Sequence, residues 1–504
     1  MPPTPITNAS RDTLVLRCAM AGLCALFAYY AIYISRRVDH AHFGDFPTFY
    51  NAGWSVRTQG DLYAPGKDRA LAISMSPRAS REMVDRVVRK IERMDAQAYV
   101  ARENSSSLIV AIEGHGTLAG DPFSRMEGVD KVLADGMSYV YPPLFAVLCR
   151  PLTAWSANGA AKVFLFVNLA CVLAAALIGT RAMMHRFGIP ITAPALCAAA
   201  LLALVLTEND LRGELQAMET DVIILLMFTL ALHWLDDKPL FSGAALAFAM
   251  NIKYLSLLAL PYLLLRRRWK AAAGMVSWTI VFALLPALVL GWKENLRCLG
   301  VALGGLLGWI GKSSALGKSA AVHGIADGLS VSVTSAFARA LRSHHLPQSY
   351  SLPIATCLGL IFLAAAWLVY RRHGLPMWNW PHAVGQQTAL FRGLIALEWA
   401  ALIVVTLAFS PDTNTRHLSM VLLVYACAAP MLLIPRAGVP RQPLLIGTLI
   451  LFVGLIMPVK SLVSTDVLQF YFRWSFCSWS LLTMYALLLA TGLRYITSKH
   501  PSAP

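Results

Sequence analysis

Residues 160–181 read AAKVFLFVNLACVLAAALIGTR, and between Lys162 and Arg181 no position carries a charge. At about 1.5 Å of rise per residue, a helix of this length crosses a hydrocarbon core of about 30 Å. Comparable apolar runs lie at 13–34, 189–207, 219–235, 272–291, 353–370, 390–409, 416–435, 443–459 and 474–493. Only 14% of the 504 residues are charged and 57% are hydrophobic. A soluble chain of this length would carry roughly a quarter charged residues. These runs predict an all-α polytopic membrane protein.

The formal net charge of +16 comes from short basic clusters between apolar runs, such as Arg266-Arg267-Arg268-Trp269-Lys270. Topology and anionic headgroups account for such clusters, and nucleic acid is not an expected partner. The nine cysteines form no CxxC pair, and Cys171, Cys197 and Cys427 lie inside apolar runs as small core residues. The first run, 13–34, is too long for the apolar core of a cleavable signal and predicts a first membrane helix and signal anchor.

With the N-terminus in the cytoplasm, the 266–270 cluster and Arg181, Arg186, Arg371, Arg372, Arg436 and Arg494 all fall inside. That satisfies the positive-inside rule, but only if 239–265 enters and leaves on the same side, as two short helices around Asn251-Ile252-Lys253. The count then reaches about twelve membrane helices, this re-entrant pair included. The whole of 1–504 is expected to form one membrane domain. A 64–138 insertion falls in the first outer loop, and a second long outer loop spans 292–352. In the insertion Ser76-Pro77 opens a helix whose Met83, Val84, Val87, Val88, Ile91 and Met94 follow helical spacing, and 292–352 predicts further interfacial helices.

Candidate chemistry gathers on the outer face. Asp45 sits among aromatics just beyond the first helix, in Gly44-Asp45-Phe46-Pro47-Thr48-Phe49-Tyr50, where partial desolvation makes a carboxylate more basic. A helix-capping role is the plainer alternative. Arg36 and Arg37 precede it, suited to headgroups or an anionic ligand. Tyr139-Val140-Tyr141-Pro142-Pro143 has the form of a lead-in to a helix. Glu214, Glu219 and Asp221 crowd a helix end, where capping also explains acids. Arg416 and His417 open a membrane helix after Ser410-Pro411-Asp412, a costly place for polar groups. One carboxylate for proton abstraction and several cations for an anionic leaving group suit transfer of a group from a lipid phosphate to a hydroxyl.

The order of Asp45, Tyr50, Ala52, Gly60, Tyr63, Tyr141-Pro142-Pro143-Leu144-Phe145 and Pro151 resembles glycosyltransferase family 87. So do Arg212-Gly213-Glu214-Leu215, the block from Gly243 through Lys253 to Arg266-Arg267-Arg268-Trp269, and Ser410-Pro411 with His417. The resemblance covers about 40–430. It implies the GT-C membrane fold and a polyprenyl-phosphate sugar donor, with mannose as the default sugar. The acceptor would be a glycolipid or glycan at the outer leaflet of the plasma membrane, with both termini cytoplasmic.

In the same terms Asp45 matches the family's general base in an inverting single displacement, and Lys253, Arg416, His417, Arg36 and Arg37 are candidates for the donor phosphate. Tyr50, Tyr141, Glu219, Asp221 and His323 are candidates for the substrate pocket. A lipid monophosphate leaving group calls for no metal and no cofactor. The chain departs from the family where Arg416 replaces a histidine, Asn414 a tryptophan, and Met218-Glu219-Thr220-Asp221 a Gly-Gln-x-Asn. Rival functions are a transporter or lipid flippase, a scaffold binding through 64–138, and a GT-C-like ligase with a diphosphate-linked donor.

Overall fold

A computed structural model describes residues 8–39, 45–63, 139–309, 325–326, 330–375, 389–411, 413–456 and 464–498. The whole 64–138 insertion, His323 and Asp412 lie outside the described residues. The described chain is helical, its one β-pairing among these residues being an isolated antiparallel bridge between Ser330 and Asn414.

In chain order the helices begin with α1 Asn8–Asp39, α2 Phe46–Thr58, α3 Pro143–Cys149, α4 Ala157–Phe187, α5 Ala193–Leu206 and α6 Glu208–Ala217. They continue with α7 Asp221–Trp234, α8 Pro239–Met250, α9 Ala259–Leu265, α10 Trp269–Leu284, α11 Ala287–Leu290 and α12 Trp292–Trp309. Last come α13 Val333–Ser343, α14 Ser351–Arg372, α15 Ala389–Phe409, α16 Leu422–Leu433, α17 Gln442–Ile456, α18 Thr465–Trp474 and α19 Phe476–Thr497. Local chemistry sets several ends. Ser156 accepts the Gly159 N–H at the start of α4, and Gly188 closes that helix in the left-handed region at φ 59°.

Among the described residues seven helices are long and apolar enough to cross a membrane, or eight if α5 and α6, bent by 69°, count as one span. The sequence predicts about twelve. The difference lies in short apolar helices such as α7, α8 and α17, of 14, 12 and 15 residues. Each rises only about 18–23 Å, short of the hydrocarbon thickness.

The stretch 239–265 folds back on itself. Ser256 donates from Oγ to the Leu246 carbonyl at 3.0 Å, and Arg268 beyond the second arm pairs at 2.9 Å with Asp236 before the first. Gly243 faces Ala271 and Met275 while Asn251 reaches the Thr279 carbonyl, so α8 and α10 lie side by side in one direction. A Cβ at Gly243 would stand 2.3 Å from the Ala271 oxygen, so only glycine permits this approach. The hairpin therefore lifts Lys253 to one end of the molecule and leaves both of its feet at the other.

Near those feet Glu398 of α15 is buried and accepts from Tyr262 at 3.2 Å, Tyr370 at 2.8 Å and Arg266 Nε at 2.9 Å, with a further contact to Arg266 Nη2. This carboxylate ties α9, α14 and α15 together. Replacing Glu398 with Leu removes the acceptor of several buried donors and is expected to cost about 3–5 kcal/mol. Thermal unfolding in detergent checks this, and a Tm equal to that of the wild type would show the network to be dispensable.

Candidate functional site

Three turns converge on one cluster of charges. The first is the entry to α2, where Asp45 stands at the N-cap without capping the helix through its side chain. Its backbone N–H instead donates to the Ala217 carbonyl at 2.6 Å, fastening the α1–α2 connection to the end of α6.

The second turn runs from α6 to α7. Met218 is fully buried yet left-handed, at φ 51°, a conformation that L side chains adopt at a cost. Glu214 Oε1 accepts the Asp221 N–H at 2.9 Å, capping α7 from the preceding helix, and Asn168 Nδ2 donates to the Glu219 carbonyl at 3.1 Å. Glu219 and Asp221 are thereby aimed inward from a rigid turn.

The third turn, 410–417, is strapped from outside its own sequence. Val331 N–H donates to the Thr413 carbonyl at 2.7 Å, Ser330 and Ser335 donate from Oγ to the Pro411 carbonyl at 2.9 Å, and Thr334 donates to the Phe409 carbonyl at 2.6 Å. Behind the turn, Asn414 N–H donates to His417 Nδ1 at 3.1 Å.

The side chains meet as follows. Lys253 Nζ lies 2.6 Å from Glu219 Oε2 and 2.9 Å from Asp221 Oδ1, with His417 Nε2 at 3.4 Å and the Tyr141 ring centroid at 5.6 Å. Arg416 Nη1 pairs with Glu219 Oε1 at 2.9 Å and, on the same nitrogen, with Asp45 Oδ2. The cluster therefore reads Asp45–Arg416–Glu219–Lys253–Asp221, with His417 at its side. Its two cations differ in access. The Lys253 side chain is 9% exposed, that of Arg416 43%.

Burial pushes the Asp45 carboxyl up to about 7, helped by the charge and hydrogen bonding of nearby Glu219 and opposed by Arg416 and Lys253. Burial also pushes Glu219 up, but Lys253 and His417 outweigh it and hold Glu219 well below the usual carboxylate range. Two neighbouring carboxyls thus have opposite tendencies, one ionised and one poised near neutrality.

One ligand atom each from Glu219, Asp221 and His417 falls within 4.8 Å of the others, a spacing that could suit a metal ion. The donor set fits one poorly. The Lys253 ammonium already sits among these atoms, and a backbone N–H on Nδ1 leaves the neutral His417 proton on Nε2, facing Asp221 Oδ2 at 3.5 Å.

The cluster thus brings together Asp45, Tyr141, Glu219, Asp221, Lys253, Arg416 and His417. Tyr50 is not in it: fully buried, it donates from its hydroxyl to the Trp155 carbonyl at 3.0 Å and braces α2. Arg36 and Arg37 occupy the last turn of α1, and no ion pair among the described residues joins them to the cluster. His323 lies outside the described residues. Two parts escape the sequence reading: the Ser330–Ser335 strap, whose hydroxyls look like those of any loop, and Asn168, a lone amide inside an apolar helix.

The raised Asp45 carboxyl has a consequence for folding. Its ordinary value is 3.8 and its folded value about 7, so its protonated form favours the fold. That contribution is complete below about 4 and is lost as pH rises through 7. Asp45→Asn mimics the protonated form. It is expected to raise Tm relative to the wild type at pH 8, with the advantage shrinking towards pH 4. Equal Tm differences at the two pH values would contradict the raised carboxyl.

The family model of glycosyltransferase family 87 matches residues 139–385, a span that contains Tyr141, Glu219, Asp221 and Lys253 and stops short of Arg416 and His417. Asp45 precedes it. No curated protein and no solved structure matches the chain. With its apolar spanning helices, this match over 139–385 makes the chain similar to glycosyltransferase family 87 and supports a multi-pass membrane glycosyltransferase.

Proposed function

We propose that this glycosyltransferase moves a sugar, mannose by default, from a polyprenyl-phosphate donor to a hydroxyl of a glycolipid or glycan acceptor, with inversion and with Asp45 as general base. The observation that carries this is the junction of Asp45 with Arg416, a poised carboxylate and an accessible guanidinium on one nitrogen, 371 residues apart in sequence. A base titrating near 7 is matched to deprotonating a hydroxyl as it attacks.

The step balances without other reactants. The acceptor oxygen bonds the anomeric carbon and its proton passes to Asp45. The bond from that carbon to the phosphate oxygen breaks, and its electron pair leaves with the lipid phosphate. That phosphate gains negative charge as it departs, and a guanidinium suits it. Arg416 is the exposed cation of the cluster, whereas Lys253 and His417 are buried and engaged with Glu219 and Asp221. Arg416 therefore takes the phosphate most directly, and in turning to it frees Asp45. Lys253 contributes its field from behind.

The orientation has separate support. The hairpin carries Lys253 at its tip and the basic run 266–268 at its feet, beside Asp236. A positive-inside arrangement then puts the cluster on the non-cytoplasmic side of the plasma membrane, with both termini in the cytoplasm.

Given labelled polyprenyl-phosphate sugars, Asp45→Asn is expected to lose about 10²- to 10⁴-fold in transfer while remaining folded. Arg416→Ala should lose activity, and Arg416→Lys should retain part of it. Near wild-type transfer by Asp45→Asn would remove Asp45 as the base, and a panel of donors none of which is consumed would remove the donor class. A Val110→Cys protein in intact cells should react with an impermeant thiol reagent, and protection would reverse the orientation.

A further inference from the structure

Glu219 has a part in the cluster that substrate binding does not explain. Its two oxygens accept from different cations, Oε1 from Arg416 at 2.9 Å and Oε2 from Lys253 at 2.6 Å. It is 4% exposed, on a turn fixed by left-handed Met218, the Asn168 amide and Glu214. A side chain so buried and engaged has little surface left for a sugar. We propose that Glu219 is the positioning residue of the Asp45 base: gripping Arg416 and Lys253 at once, it fixes a permanent negative charge facing Asp45 across a shared guanidinium. The proposal rests on Asp45 being the base.

The groups facing Asp45 from its neighbours are Glu219 from the α6–α7 turn, Arg416 from the turn before α16 and Lys253 from the hairpin tip. Tyr141 and His417 stand against Lys253, and Asp221 and Glu214 lie behind Glu219. Arg416 and Lys253 draw Asp45 towards ionisation, and Glu219 is the like charge that opposes them. Without it, Arg416 would belong to Asp45 alone, and the base would be a weaker one held in a simple ion pair. With it, Arg416 has a second anchor. When a donor phosphate draws the guanidinium away from Asp45, Glu219 Oε1 still holds it, so the cation can serve the phosphate without leaving the site. A glutamine at this place could accept a hydrogen bond but supply no charge.

The test reads Asp45 itself. Dicyclohexylcarbodiimide modifies protonated carboxyls, and mass spectrometry of the Asp45 peptide in the full-length protein gives the extent of labelling against pH. The wild-type midpoint is expected near 7. In Glu219→Gln it should fall by at least about one pH unit, the effect of removing a like charge at close range. The acid limb of the transfer–pH profile should fall with it. If Glu219→Gln does not fold, Glu219→Asp is read in the same way: its carboxylate draws back by one methylene, and the midpoint should fall by less. An unmoved midpoint in the folded variant overturns the proposal, even in an active enzyme. A midpoint that moves while no donor is ever consumed would uphold the Asp45–Glu219 coupling and sink the enzyme assignment instead.

Discussion

An ammonium group withdrawn from water must be answered by opposite charge within reach, because the desolvation cost of an isolated ion in a protein interior runs to several kcal/mol. Lys253 meets that requirement with two carboxylates and in doing so organises the structure around it. The hairpin 239–265 must rise to bring it there, the α6–α7 turn must point both acids inward, and Met218 must accept a left-handed backbone to let it. The order of this end of the molecule follows from that demand.

Next to that closed pair the site opens by degrees. Glu219 is shared between the buried ammonium and Arg416, and Arg416 between Glu219 and the largely buried Asp45. Charges in such a chain do not act singly. A change at the solvent-facing end is felt at the inner end through one carboxylate.

Much of this was legible in the sequence, and the rest was not, for definable reasons. Apolar runs bounded by charge read directly as helices, since a bilayer forbids any cheaper arrangement of the backbone. The fold-back at Asn251–Lys253 could be read from charge at both ends of one apolar stretch. Asp45, Glu219, Asp221, Lys253, Arg416 and His417 stood out as ionisable groups in costly places. The count of membrane helices was less legible, because α7, α8 and α17 are apolar in composition but too short by geometry. Tyr50 was misleading: an aromatic beside an acid looks like a substrate contact, yet its hydroxyl serves the Trp155 carbonyl. The strap at Ser330–Ser335 left no trace, because hydrogen bonds from hydroxyls to backbone carbonyls follow no sequence period.

The two feet of the hairpin are pinned at one level by Asp236 and Arg268. A helix that traverses a bilayer adjusts to lipid thickness by tilting, and both of its ends shift accordingly. A hairpin whose feet share one face, and whose apex is tied by Lys253 to Glu219 and Asp221 inside the protein, keeps that apex at a depth measured from its own base. The chain thus carries an internal ruler: in thicker or thinner lipid the long helices lean, while the distance from the arginine layer to the Lys253 ammonium stays as the protein made it.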